Sequence, residues 1–152
     1  MQTSLLQQLI DELQCLPGVG PKTAQRMAFN LLQHKRQAGI DLASTLNKAM
    51  LEVGQCQKCR NYTEQELCDI CTNPRREQQN LLCIVESVSD LAAVENSAQF
   101  SGRYFVLHGT LSPIDGIGPS ELGLNQLEEL MATGDVEEVI LALNPSIEGE
   151  AT

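Results

Sequence analysis

The sequence predicts an α+β protein built from three parts in series: an N-terminal helical bundle, a small cysteine-rich module and a parallel α/β domain. Three observations carry that prediction. Apolar residues recur at helical spacing up to about residue 53. Four cysteines in two close pairs follow, with little apolar content around them. From residue 81 onward, short apolar runs alternate with helical patterns. The expected parts span residues 1–54, 55–77 and 78–152.

The first helix is expected over 4–15, with Ser4 as its cap and Leu5, Leu6, Leu9, Ile10 and Leu13 on one stripe. "LPGVGP" at 16–21 ends it, and Pro21 suits the first turn of a second helix carrying Ala24, Met27, Ala28, Leu31 and Leu32. A third helix, about 41–53, carries Leu42, Leu46, Ala49, Met50 and Val53. Residues 55–76 hold too few apolar side chains to build a core without a metal. "LLCIVE" (81–86), "RYFVLHG" (103–109) and "EVILALN" (138–144) read as buried strands, with helices at about 89–98 and 121–133 between them. That alternation means a parallel sheet. The Gly/Pro-rich loop at 109–120 is of the kind that carries contacts rather than core.

No run approaches the roughly 18 apolar residues of a membrane span, and the N-terminal stretch has an acidic pair where a signal peptide would be basic. A cytoplasmic location follows as the expectation. In that reducing compartment the six cysteines favour thiolate ligation over disulfides. The net charge of −10 is unevenly spread. Residues 1–80 hold nine Lys/Arg against eight Asp/Glu, a balance of +1, whereas residues 81–152 hold only Arg103 against twelve acids, a balance of −11. The first half tolerates DNA, and the second repels phosphate and suits proteins or a divalent cation. Aromatics at 3% argue against an aromatic platform for base stacking.

Cys56-x2-Cys59-x8-Cys68-x2-Cys71 has the spacing of two metal knuckles, and four thiolates close the tetrahedral shell of one structural Zn²⁺. An iron centre or redox dithiols are the alternatives. Four thiolates on a divalent ion leave a −2 cluster that Lys58 and Arg60 are placed to offset, unless they are ordinary surface charges. Cys15 and Cys83 lie on apolar patterns and are expected to be small buried hydrophobes.

"LPGVGPKTAQRMAFNLL" (16–32) has the form of a helix-hairpin-helix DNA-binding element. Gly18 and Gly20 permit the positive φ of a tight hairpin and let a phosphate approach bare backbone. The amides opening the next helix point outward with its dipole behind them, and Lys22 and Arg26 flank the site. Such a site reads phosphate without sequence preference. The plainer alternative is a turn joining two helices. Arg75 and Arg76, after the cysteine module, are the next candidates for DNA contact. At the C-terminal edge of the sheet Glu86, Glu148 and Glu150 are candidates to converge on Mg²⁺, against the alternative of solvated acids.

Taken in order, these pieces resemble the RecR family. The matching stretches are "LPGVGPKTAQRMAFNLL", the four-cysteine module, "CTNPRR", "CIVES", "FSGRYFVLHGTLSPIDGIGP" and "EVILALNPSIEGEAT". The resemblance implies a helix-hairpin-helix, a zinc finger and a Toprim domain. It also implies assembly into DNA-binding, ring-like homo-oligomers at the nucleoid, and action with RecO-like and RecF-like partners to help load RecA onto single-stranded DNA. Catalytic Toprim domains hold Mg²⁺ with a glutamate after the first strand and a D-x-D after a later one. Glu86 matches the glutamate, whereas Asn144 and Ser146 stand at the aspartate positions. The resemblance therefore implies a non-catalytic Toprim-like domain with little Mg²⁺ affinity, not an enzyme. The alternatives are a Mg²⁺-dependent Toprim nuclease or nucleotidyl-transfer enzyme, and a module that binds only proteins. Related chains continue past "EGEAT", so the α/β domain is expected to be incomplete at its C-terminus.

Overall fold

The computed structural model describes residues 4–152. They form two compact units, one ending at Glu52 and the other spanning Val53–Thr152.

The first unit is helical: α1 (Leu5–Leu13), α2 (Pro21–His34) and α3 (Arg36–Glu52). Ser4 caps α1 by accepting from the Gln7 amide at 3.1 Å, which satisfies one of the helix's orphan donors. The turn that follows leaves Cys15 exposed, so this cysteine is not the buried hydrophobe its neighbours suggested. Its amide is tied to Glu12 in the last turn beyond α1, where the helix no longer presents it to the core. The buried core consists of Ile10, Ala24 and Ala28, with Leu9, Leu13 and Val19 packed against it. The two alanines let α1 and α2 approach closely, and burying Ile10 contributes about 2 kcal/mol.

Lys35, at φ −139° and ψ 42°, breaks α2 from α3. α3 begins at Arg36, five residues before its expected start. Arg36 Nε donates to the Leu32 carbonyl and Gln37 Nε2 to Asp41 Oδ1, so polar contacts extend the helix where no apolar stripe announces it. None of its residues is buried.

In the second unit β1 (Gly54–Gln55) and β2 (Tyr62–Thr63) form a small antiparallel hairpin. After the cysteine module comes the short α4 (Pro74–Glu77), capped by Asn73. The main sheet contains β3 (Leu81–Val85), β4 (Arg103–Val106) and β5 (Glu138–Ala142), all parallel, in the order β4-β3-β5. α5 (Val88–Asn96) connects β3 to β4, α6 (Leu124–Ala132) precedes β5, and α7 (Ile147–Ala151) follows it. The strand alternation of β3 separates two apolar clusters. Leu82 and Ile84 join Phe105, Leu107, Leu122 and Leu127 on one side. Cys83 and Val85 join Leu91, Tyr104 and Val106 on the other.

Two expectations change here. β5 is an edge strand with Leu141 68% exposed rather than a buried one, whereas β4, the opposite edge, is buried throughout because the finger flanks it through the Cys59 carbonyl. The loop between β4 and α6 also contributes to the core: Leu122 is fully buried, and Leu111 and Ile117 pack against the same cluster. A Ser112–Ile117 bridge and a 2.8 Å bond from the Leu111 amide to Thr152 Oγ1 hold this loop down. No described helix is long and apolar enough to cross a membrane.

Candidate metal centre and nucleic-acid interface

The cysteine module folds its four sulfurs into one cluster. The Sγ atoms of Cys56, Cys59, Cys68 and Cys71 all lie within 4.8 Å of one another. The Cys59 and Cys68 sulfurs are 3.5 Å apart. That is far beyond the roughly 2.05 Å of a disulfide and close to the edge, about 3.8 Å, of a tetrahedron with Zn–S bonds of about 2.3 Å. Three of the four cysteines are buried and Cys71 is half-buried. The sharp knuckle turns aim backbone amides at the sulfurs: Asn61 N lies 3.4 Å from Cys59 Sγ, and Cys68 N lies 3.3 Å from Cys56 Sγ.

The thiols cannot all ionise without a cation. Burial opposes ionisation of Cys56, but amides near its sulfur outweigh it and bring the thiol down to about 7. Cys59 is pushed well above the ordinary thiol range by its hydrogen bond with the Cys71 sulfur and by burial. Burial raises Cys68 to about 11. A divalent soft cation resolves this conflict by replacing the protons, and four sulfurs leave no coordination position for water. The cluster holds one structural zinc.

The finger is joined to the sheet through its first knuckle. The Val106 amide donates to the Cys59 carbonyl at 2.8 Å, and His108 Nε2 meets the Arg60 carbonyl at 2.6 Å. Arg60 itself, at φ 65°, donates to the carbonyls of Leu107 and Glu121 at 3.3 and 3.1 Å, and its guanidinium lies over the Phe105 ring. Gln126 Nε2 donates to the Gln57 carbonyl. Lys58 pairs with Glu77 at 3.5 Å. Neither cation is therefore spent on the thiolates: Arg60 is a brace between finger and loop, and Lys58 an exposed ion pair. The bracing role of Arg60, His108 and Gln126 is not legible in the sequence, where Arg60 is placed only to offset the thiolates and the other two lie on a strand and a helix. Only the positive φ of Arg60 and His108 marks them, and that is invisible in the residue types.

At the hairpin of the first unit only one of the two glycines adopts the left-handed conformation. Gly18 has φ +77°, whereas Gly20 is the extended N-cap of α2 at φ −88°. The expectation of positive φ at both fails at Gly20 because a residue entering a helix is extended. Neither would meet another atom within 4 Å if it carried a Cβ, so the backbone there is open to approach. Pro21 follows at the first helical position. Lys22 and Arg26 lie one turn apart on the exposed face of α2, and they line one concavity with Gln25, Phe29, Asn30 and Gln33. Among the described residues neither cation has an acidic partner.

Arg76 differs. It grips Glu95 through two 2.7 Å bonds and the Gly102 carbonyl at 3.1 Å, while Tyr104 Oη donates to the same carboxylate at 2.7 Å. That commitment takes Arg76 out of the DNA candidates and leaves Arg75. Arg103, the one cation among residues 81–152, is buried on β4.

The three glutamates of the sheet edge do not assemble. Among the described residues, the four cysteines are the only group of three or more His, Cys, Asp or Glu close enough to share a metal ion. Glu86 instead accepts from Asn144 twice, from its backbone amide and its side-chain Nδ2, both at 2.7 Å. Ser146 caps α7 by accepting from the Gly149 amide at 3.0 Å, and Glu148 and Glu150 sit in that helix's first turn, beside its positive dipole end.

Comparison with known families agrees with this geometry. Residues 6–50 match the RecR helix-hairpin-helix, 53–73 match the four-cysteine zinc finger domain of RecR, and 80–152 match the Toprim domain. Two of the three matched domains are specific to RecR, and the three follow one another across nearly the whole chain: the protein is RecR-like.

Proposed function

We propose that this chain is a DNA-binding, non-catalytic scaffold of recombinational repair. It engages DNA through the hairpin and the exposed face of α2, with Gly18 and Gly20 offering open backbone and Lys22 and Arg26 each neutralising a phosphate. It acts with RecO-like and RecF-like partners to help load RecA onto single-stranded DNA, as a homo-oligomer. The observation that carries the DNA contact is the state of the two cations. They are exposed, without acidic partners among the described residues, on a helix that contains no Asp or Glu. Family domains of the RecR type support the repair role. The acidic second unit suits a basic RecO-like partner rather than DNA.

The non-catalytic reading draws support from Glu86. Both of its carboxylate oxygens are occupied by Asn144 donors, at a position where an aspartate would share a cation instead. No cleavage or nucleotidyl transfer is expected with Mg²⁺ or Mn²⁺, and activity lost in Glu86→Gln would reverse this reading.

The DNA contact is tested by the salt dependence of binding. Lys22→Ala with Arg26→Ala should flatten the slope of log affinity against log salt by about two, nearly equally on every sequence. Circular dichroism and zinc content must match the parent. An unchanged slope moves the site away from α2, with Arg75 the next residue to test.

A further inference from the structure

Phe29 occupies a place in α2 that packing does not explain. Lys22, Arg26, Phe29 and Gln33 follow at i, i+4, i+7 and i+11, the spacing of a single helix face. The buried Ala24 and Ala28 lie on the other side of the helix, turned toward α1. Phe29 is 46% exposed in the middle of this polar face. Around it, Gln25, Asn30 and Gln33 join the two cations in lining one open concavity of about 380 Å³. The chain has three phenylalanines and two tyrosines in all, so a large aromatic left in water at the centre of a cationic, amide-rich face stands out.

We propose that Phe29 is a base-stacking residue and that this face of α2 takes an unpaired nucleotide of single-stranded DNA. The inference rests on the reading of Lys22 and Arg26 as phosphate contacts. Those cations, both on the N-terminal side of the ring, hold the strand's phosphates, the ring offers its face to one base, and the amide side chains supply donors and acceptors to the base edge. The low aromatic content excludes a platform of several rings, but one base needs only one ring. A paired base in a duplex is already stacked and has no face to offer, so the ring discriminates single strand from duplex, while the two cations hold either.

The chain has no tryptophan, which makes Phe29→Trp a site-specific reporter. Its emission should be quenched by a thymidine oligonucleotide with affinity retained, and should stay unchanged with an abasic oligonucleotide of equal length. Phe29→Ala should weaken binding of the thymidine strand between about five- and a hundredfold at low salt, as expected for one stacked base. Its affinity for the abasic strand and for duplex should change less than twofold. Equal losses on thymidine and abasic strands would overturn the proposal, as would an unquenched tryptophan with no loss in Phe29→Ala. A change in sedimentation of Phe29→Ala without any change in DNA affinity would also overturn it, by assigning the ring to a protein contact. If Lys22→Ala with Arg26→Ala flattens the salt slope while Phe29→Ala does nothing, stacking alone falls. If neither variant alters binding, the DNA reading of α2 falls with it.

Discussion

The exposed face of α2 in the first unit and the finger and sheet of the second treat their cations in opposite ways. In the first, the described core is small, made of Ile10, Ala24 and Ala28, and Lys22 and Arg26 of α2 have no acidic partner among the described residues. In the second, the sheet is packed on both sides, and the arginines and lysine that bear on structure are bound: Arg60 to two carbonyls, Lys58 to Glu77, Arg76 to Glu95. The difference separates roles that a count of charges cannot. A guanidinium fixed by two carbonyls or a bidentate carboxylate is an element of the fold, whereas an exposed one on an acid-free helix is available to a phosphate.

The sharpest way to break the comparison is to remove the metal. Cys68→Ser, or a strong chelator, should release the zinc and unfold the finger, since such modules take most of their folding energy, on the order of 10 kcal/mol, from the ion. Because the Cys59 carbonyl and Arg60 hold Val106 and the loop after β4, hydrogen exchange should rise at Val106 and at the loop amides of Leu122 and Gly123 as well as within residues 54–72. The amides of α1 and α2 should stay unchanged. Elemental analysis supplies the control, and loss of zinc with full protection at Val106 would refute the bracing role of the finger.

A smaller effect is expected at Arg76. Burial alone would raise the Glu95 carboxyl, but the bidentate Arg76 and the Tyr104 hydroxyl outweigh it and hold the group below its ordinary value of 4.5. A carboxylate held low contributes stability that is complete above the unfolded value and is lost as pH falls through the folded one. Arg76→Ala should therefore cost about 1.5–3 kcal/mol in urea denaturation near neutral pH, with the gap to the parent narrowing below pH 4.5. A pH-independent gap would mean that Arg76 acts only through packing. Nonspecific DNA affinity at low salt should be preserved, in contrast to the α2 cations.

The smallest effect distinguishes the hairpin glycines. Gly18→Ala places a Cβ in the left-handed region and should cost about 1–2 kcal/mol of the first unit's stability, although nothing stands within 4 Å to clash with it. Gly20→Ala, at an ordinary φ, should cost less. Zinc content should be the same in both. Equal thermal shifts from the two variants would show that the hairpin relaxes its Gly18 conformation.

By itself the sequence determined the order of the main helices and strands, the zinc ligands and the position of the hairpin, but not β1, β2, α4 or α7. Each of these rests on local information. Helical stripes repeat every three or four residues, two C-x2-C knuckles bring sulfurs together within a few residues of chain, and Pro21 suits the first turn of a helix. What only the tertiary structure decided depends on partners far apart in sequence. Glu86 meets Asn144 across 58 residues, Arg60 meets Glu121 across 61, and Arg76 meets Glu95 and Gly102 across 19 and 26. The same holds for the exposure of β5, since the finger flanks the other edge strand, β4, and for Phe29, whose place on the outer face matters because α1 covers the other. Residue type states what a side chain is able to bind, but its partner depends on which distant segment the fold sets beside it. For that reason the arginines of the finger and the glutamates of the sheet edge could not be assigned from their spacing.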